Sequence, residues 1–364
     1  MIVPLLVGAI LNTIDKAHLA WIEGLLQALG TTPVEDPATG EAHFEFLEIG
    51  GFASSLAGRG ATTLIAMFLV CVASQMNFRV GGRAIKKGAI ITVAKLAVAI
   101  GCGYLIAAGS DEFDGWLGLS IVAIIAAMSN GNGGLYLALT GEYGDRSDVG
   151  AVSVISLNDG PFFTLLALGL MGERFPFVAF LAVLLPMIVG FVIGQVSPAA
   201  RQFLAPGEKL AIPFFAFALG TTMNFWTFLD LEVLVGGLFL GVATVVLTGT
   251  VSTWVLSLLG EKRTIAGYAE ASTAGNAVQT PLAIALAAGG GVAAEGVMTA
   301  RAEAYQQLVP IATAQISIAV MTTALLCPLA VMWWNSRLVA GAAADESSGD
   351  EVPATDAMPD NEAR

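Results

Sequence analysis

Ser129-Asn130-Gly131-Asn132-Gly133-Gly134 and Ser272-Thr273-Ala274-Gly275-Asn276-Ala277 each interrupt a long apolar run with hydroxyl, amide and glycine residues. The two interruptions echo each other, and they do so inside a wider echo. Val3-Pro4-Leu5-Leu6-Val7-Gly8 returns as Leu185-Pro186-Met187-Ile188-Val189-Gly190, and Ser74-Gln75-Met76-Asn77-Phe78 returns as Thr221-Thr222-Met223-Asn224-Phe225. Each match is short. Their shared order in the two halves is what carries information. A repeated membrane half with a polar, Gly-rich break inside an apolar segment is the pattern of a secondary transporter.

Composition points the same way. Hydrophobic residues make up 56% of the chain and charged residues 12%, with a mean hydropathy of +0.77. A soluble domain carries about 25% charged residues. Apolar segments fall at approximately 2–14, 60–78, 89–108, 116–140, 149–172, 175–195, 210–225, 233–259, 264–288 and 308–335. Several approach the roughly 20 residues needed to cross a bilayer. The net charge of −13 is concentrated outside them. Asp15–Arg59 holds seven acids and two bases, and Asp345–Arg364 seven acids and one base, so these stretches supply −5 and −6. The membrane body is nearly neutral, and nucleic acid is excluded as a partner. Residues 2–12 lack a basic leader and a cleavage site and read as a first span.

With the N-terminus inside, the inner loops and the end of the chain hold eleven Lys and Arg residues against four in the outer loops. That bias favours cytoplasmic N- and C-termini. The expected fold is an all-α polytopic membrane protein of about ten transmembrane helices in two five-helix repeats. Five spans per half make the repeats inverted. Residues 1–172 form the first repeat, with an outer acidic insertion at 15–48. Residues 173–335 form the second, and 336–364 an acidic disordered tail. Trp21, Ile22, Leu25, Leu26 and Leu29 sit at helical spacing, as a helix in the outer interface or one packed over the outer mouth. Cys71, Cys102 and Cys327 stand singly in apolar stretches. His18 and His43 lie far from either break and read as ordinary loop residues, so no metal site is expected.

Three ionisable residues fall clearly within apolar spans: Lys95, Asp159 and Glu270. Each needs a partner or a function, because charge near the centre of an isolated helix costs at least ~2.5 kcal/mol. Asp159, in Ser156-Leu157-Asn158-Asp159-Gly160-Pro161, suits an N-cap and also a proton or substrate site. Glu270 precedes the second break, at the negative end of its helix, where a carboxylate is unfavourable unless protonated or neutralised by a cation. It reads as a proton carrier or as a water-facing side chain. Lys95 either snorkels to the inner surface or pairs with Asp159 or an anionic substrate. At the breaks, glycines allow close backbone approach, and resuming half-helices offer unpaired N–H groups. Ser129, Asn130, Asn132, Gly133, Gly134, Ser272, Thr273, Asn276, Gln279 and Thr280 are the candidate substrate residues, with Thr280 as a cap before Pro281. Asp159, Asn158, Glu270 and Lys95 are the candidate proton-coupling residues.

In order along the chain, Val3–Thr13, Leu47–Phe52, Ala126–Tyr136, Ser156–Phe163, Ile212–Gly220 and Ala271–Ala277 resemble the bacterial 2-keto-3-deoxygluconate permease family. The resemblance implies crossed broken helices in an elevator-type transporter. A core carrying the breaks would slide against a panel made of the first two helices of each half. It also implies proton-coupled uptake of a sugar acid, and its pattern covers Asn158, Asp159 and Lys95. Three departures stand out: an insertion of about thirty residues between Thr13 and Leu47, a missing amphipathic N-terminal extension, and Glu270 where a small residue is expected. The family's proton role is therefore not carried over to Glu270. The expected partners are a small anionic sugar acid, a coupling proton with sodium as the alternative, and membrane lipid. A homodimer stays open, and no cofactor is expected. A cation/proton antiporter is the runner-up, since Asn158-Asp159 resembles that class's paired residues. An intramembrane enzyme is disfavoured, because a single membrane aspartate and no membrane histidine leave no nucleophile and base.

Overall fold

The computed structural model describes residues 2–35, 42–76, 81–109, 111–158, 160–172, 177–289 and 300–347, and they are mostly helical. α1 (Ile2–Asp15) turns through 87° into α2 (Ala20–Ala28), followed by a small antiparallel hairpin, β1 (Val34–Glu35) and β2 (Ala42–His43), and by α3 (Gly51–Leu56). α4 (Ala61–Gln75) and α5 (Gly82–Gly109) come next. α6 (Ile121–Ser129) and α7 (Gly133–Tyr143) are separated by the first break. α8 (Arg146–Gly150), α9 (Val152–Ile155) and α10 (Phe162–Leu170) close the first half.

The second half runs through α11 (Phe177–Val196), α12 (Pro198–Leu204) and α13 (Gly207–Gly220). α14 (Leu231–Ala243) joins α15 (Gly249–Leu258) through a π-helical turn at Thr244–Thr248. The one-turn α16 (Ala266–Ala269) leads into the second break, and α17 (Thr280–Gly289) and α18 (Ala300–Ser347) finish the chain. α18 extends beyond residue 335, into the stretch expected to be a tail. Its strongly apolar sequence carries two prolines, Pro310 and Pro328, without ending the helix.

Four of these helices are long and apolar enough to cross a membrane, or up to seven if each bent pair is one span. The chain is an integral membrane protein. The ten-segment layout is finer than this, because α4 and the Leu184–Val196 part of α11 are apolar but short.

The early helices pack on helices from much later in the chain. α1 lies against α13, α4 against α11, and α4 also against α13. Small residues set these distances. A Cβ at Gly8 would stand 2.4 Å from the Phe217 carbonyl oxygen, and one at Gly190 would stand 2.1 Å from that of Val70. Gly8 and Gly190 are the last residues of the repeated Pro-containing stretch, and each sits on a helix backbone of the other half. Close backbone approach is how helices associate where water supplies no hydrophobic drive. Behind this layer, α5 packs on α6, α9 and α15, and α14 and α17 pack on α18. One apolar core runs through both layers, from Leu5 and Phe68 to Ile125, Leu165, Phe215 and Ile316.

α2 leaves Trp21, Leu25 and Leu29 exposed and buries only Leu26. A short helix with an apolar exposed face suits the membrane interface better than a lid packed on protein.

Candidate functional site

Both breaks form where the sequence interrupts its apolar runs, and they touch. Asn130 ends α6, and Asn132 begins α7 by accepting the Leu135 N–H on Oδ1 at 3.1 Å. At the second break the helix ends at Ala269 with Glu270 as its C-cap, and a 3-10 turn at Gly275–Gln279 feeds into α17. The Asn132 N–H donates to Ser272 Oγ (3.1 Å), the Ala274 N–H to the Asn130 carbonyl (3.4 Å), and Thr273 Oγ1 to the Ala127 carbonyl (3.0 Å). Asn158 Nδ2 donates to the Ser129 carbonyl (2.9 Å) and so ties the 3-10 turn after α9, Ser156–Asn158, to the first break.

Lys95 lies at the centre of this junction. It is 1% exposed, so it does not snorkel. Its ammonium donates to the carbonyls of Asn130 (3.2 Å), Glu270 (2.9 Å) and Ser272 (3.0 Å), and to Glu270 Oε1 at 3.5 Å. One cation thus satisfies carbonyls freed at both breaks and neutralises the carboxylate at the end of α16. Glu270 is 0% exposed, which corrects the water-facing reading. Asn158 adjoins it. Glu270 Oε2 and Asn158 Oδ1 are both buried without a hydrogen-bond partner among the described residues. Asp159 lies outside the described residues.

A cavity of about 650 Å³ opens beside the junction. It is lined by Asn132, Gly133 and Gly134 from the first break, Asn276 from the second, Gln75 of α4, and Lys209 of α13. Gly133 and Gly134 open α7, whose first N–H groups have no partner within the helix. The cavity therefore combines backbone donors at a helix start, three amides and a cation, a set suited to a hydroxylated anion. A second cavity, of about 340 Å³, is almost wholly apolar and offers an anion no partner. It lies among α4, α11 and α17.

The predicted substrate residues thus divide. Asn132, Gly133, Gly134 and Asn276 line the cavity. Ser129, Asn130, Ser272 and Thr273 are at most 2% exposed and bond within the junction, whereas Gln279 and Thr280 are buried with side chains that have no hydrogen-bond partner among the described residues. Thr280 does not cap α17. Its backbone is already helical, because the preceding 3-10 turn runs straight into the helix, and its Oγ1 has no partner among the described residues.

Two features escaped the sequence reading. Lys209 reads there only as a loop cation, yet it stands at the cavity and forms no ion pair among the described residues. At the Gly82 end of α5, fully buried Lys87 pairs with Asp145 (3.2 Å) and Asp148, and Thr264 donates to Asp148 (2.6 Å). Arg83 reaches Glu261 at 2.9 Å. Burial pushes the Asp145 carboxyl up, but the Ser147 hydroxyl, the Asp148 N–H and Lys87 outweigh it and hold it below its ordinary value. This network fastens α5, α8 and the α15–α16 link.

The model of the 2-keto-3-deoxygluconate permease family matches residues 43–340. The chain belongs to the 2-keto-3-deoxygluconate permease family. It is 41% identical over 341 residues to 2-keto-3-deoxygluconate permease 1 of Salmonella typhimurium, covering 92% of this chain and 91% of that protein. It is 33% identical over 347 residues to the 2-keto-3-deoxygluconate permease of Bacillus subtilis, covering 93% and 91%. This permease-family match runs through both breaks, Lys95, Glu270 and Lys209.

Proposed function

We propose that the chain is a secondary active transporter that takes up 2-keto-3-deoxygluconate, or a similar sugar acid, with protons across a bacterial inner membrane. The observation that carries the reading is the cavity beside the two touching breaks. Its Gly133 and Gly134 N–H groups and Lys209 offer positive charge to a carboxylate, and Asn132, Asn276 and Gln75 offer amides to hydroxyl and keto oxygens. The names of the relatives supply the substrate class. The permease names of the relatives favour a transporter over an enzyme.

Ten spans in inverted repeats, with cytoplasmic termini, are supported by the matched contacts of Gly8 and Gly190 and by the Lys and Arg bias. An elevator motion fits the mutual packing of α1, α4, α11 and α13, which would form the panel. The coupling proton would neutralise a buried carboxylate before it crosses the bilayer. Asp159 is one candidate. Glu270 is another, since its carboxylate is fully buried and its Oε2 has no hydrogen-bond partner among the described residues. Sodium coupling is the second reading, favoured by buried oxygens of Asn130, Asn158 and Glu270 that lack donors. Lys95 among them opposes a second cation.

Proteoliposomes separate the two. An inward proton gradient without sodium should drive accumulation of labelled 2-keto-3-deoxygluconate. Accumulation that needs a sodium gradient and ignores pH would establish the sodium reading. Ion-driven proton flux with no sugar acid present would point to an antiporter.

A further inference from the structure

The excursion between α1 and α4 brings together three residues far apart in the sequence. His43 Nδ1 lies 3.1 Å from Glu23 Oε1, and His18 Nδ1 lies 3.6 Å from the same oxygen. The three ligand-type atoms all fall within 4.8 Å of one another. The imidazole rings stack with centroids 3.7 Å apart.

Three observations go beyond a simple ion pair. His18 Nδ1 is shut off from solvent and has no hydrogen-bond partner among the described residues. A buried ring nitrogen without a partner is costly in a purely protein setting. His18 also holds φ at +47°, a left-handed conformation that non-glycine residues adopt rarely. Such strain collects at sites where a side chain is held for a purpose. Finally, two imidazoles and one carboxylate facing one another are a donor set that a divalent transition-metal ion takes.

The spacing fits. Zinc bonds to His nitrogen and carboxylate oxygen are about 2.0–2.2 Å long, which sets tetrahedral ligand atoms about 3.3–3.5 Å apart. The two separations to Glu23 Oε1 bracket that value. We propose that His18, Glu23 and His43 form a binding site for a divalent transition-metal ion of the zinc type, with a fourth position open to water. The ion would fasten the start of α2 to β2. A second clasp already holds the same excursion to the end of α1. Asp15 accepts the N–H groups of Phe46 (2.7 Å) and Leu47 (3.0 Å), and Lys16 pairs with Glu45. The −5 charge of the excursion favours a cation there.

The test uses the full chain, purified without a histidine tag and stripped with chelator. Zinc chloride titrated by calorimetry should bind at one ion per chain. Cobalt(II) in its place should give the visible absorption of a low-symmetry nitrogen–oxygen site. His43→Ala and His18→Ala should each weaken zinc binding at least tenfold, and Glu23→Gln, which keeps the shape, should weaken it too. Glu35→Gln, in the same excursion, should bind as wild type. Elution of each variant as a single size-exclusion peak separates loss of ligand from loss of fold. Absence of zinc binding in the wild type overturns the proposal, as does unchanged affinity in both histidine variants.

Discussion

Lys95→Met removes the cation from the junction while nearly keeping the side chain's volume. It leaves the carbonyls of Asn130, Glu270 and Ser272 without their donor, and it leaves the Glu270 carboxylate buried without its counter-charge. At 3.5 Å, an ion pair in an effective dielectric of about 20 is worth roughly 5 kcal/mol before desolvation. Removing one partner of such a buried pair costs about 3–5 kcal/mol, because the other charge is stranded. The fall should show as a Tm several degrees lower in detergent, followed by tryptophan fluorescence. Glu270→Gln added to Lys95→Met removes the stranded charge, and the double variant should regain about 1–3 kcal/mol. If Lys95→Met unfolds with the wild-type Tm, or the double variant is no more stable than the single, the cation does not hold the junction.

Other positions give sharper contrasts. Gly190→Ala forces a Cβ to within 2.1 Å of the Val70 carbonyl and should cost roughly 1–3 kcal/mol. Gly141→Ala, with nothing within 4 Å, should be neutral or stabilise α7 by up to about 1 kcal/mol, read by the same melts. The lowered pKa of Asp145 contributes stability above its unfolded value of about 3.9, and that stability is lost as pH falls through the still lower folded value. Asp145→Asn should therefore lower Tm at pH 7 and make it less sensitive to acid. Asp159→Asn should abolish accumulation against a gradient while leaving substrate exchange in proteoliposomes. Normal accumulation would remove Asp159 from the coupling path.

The helices and both breaks were legible because apolar length and breaker residues are local signals. Contacts between the breaks were not. Lys95 reads as a snorkelling lysine until the fold delivers the Glu270 carboxylate, 175 residues away, to its ammonium. Ser129, Asn130, Ser272 and Thr273 were singled out for their polarity, but polarity alone does not separate groups that face a cavity from groups that bond each other. Thr280 looked like a cap because it precedes Pro281, yet the 3-10 turn before it had no sequence mark. Lys209 and the His18–Glu23–His43 cluster were passed over, since a loop cation and two scattered histidines gain meaning only from what the chain folds onto them.

The central claim is that the cavity beside the two touching breaks binds the sugar acid. Its most direct test is the half-saturation constant for labelled 2-keto-3-deoxygluconate uptake in proteoliposomes, measured for wild type, Asn132→Ala, Asn276→Ala and Lys209→Gln, with Ser347→Ala as control. Loss of one buried polar partner costs about 1–3 kcal/mol, so each site variant should raise half-saturation about tenfold or more at equal protein content, and the control should not move. Unchanged half-saturation in all three site variants would place the binding site elsewhere and reduce the breaks to packing kinks.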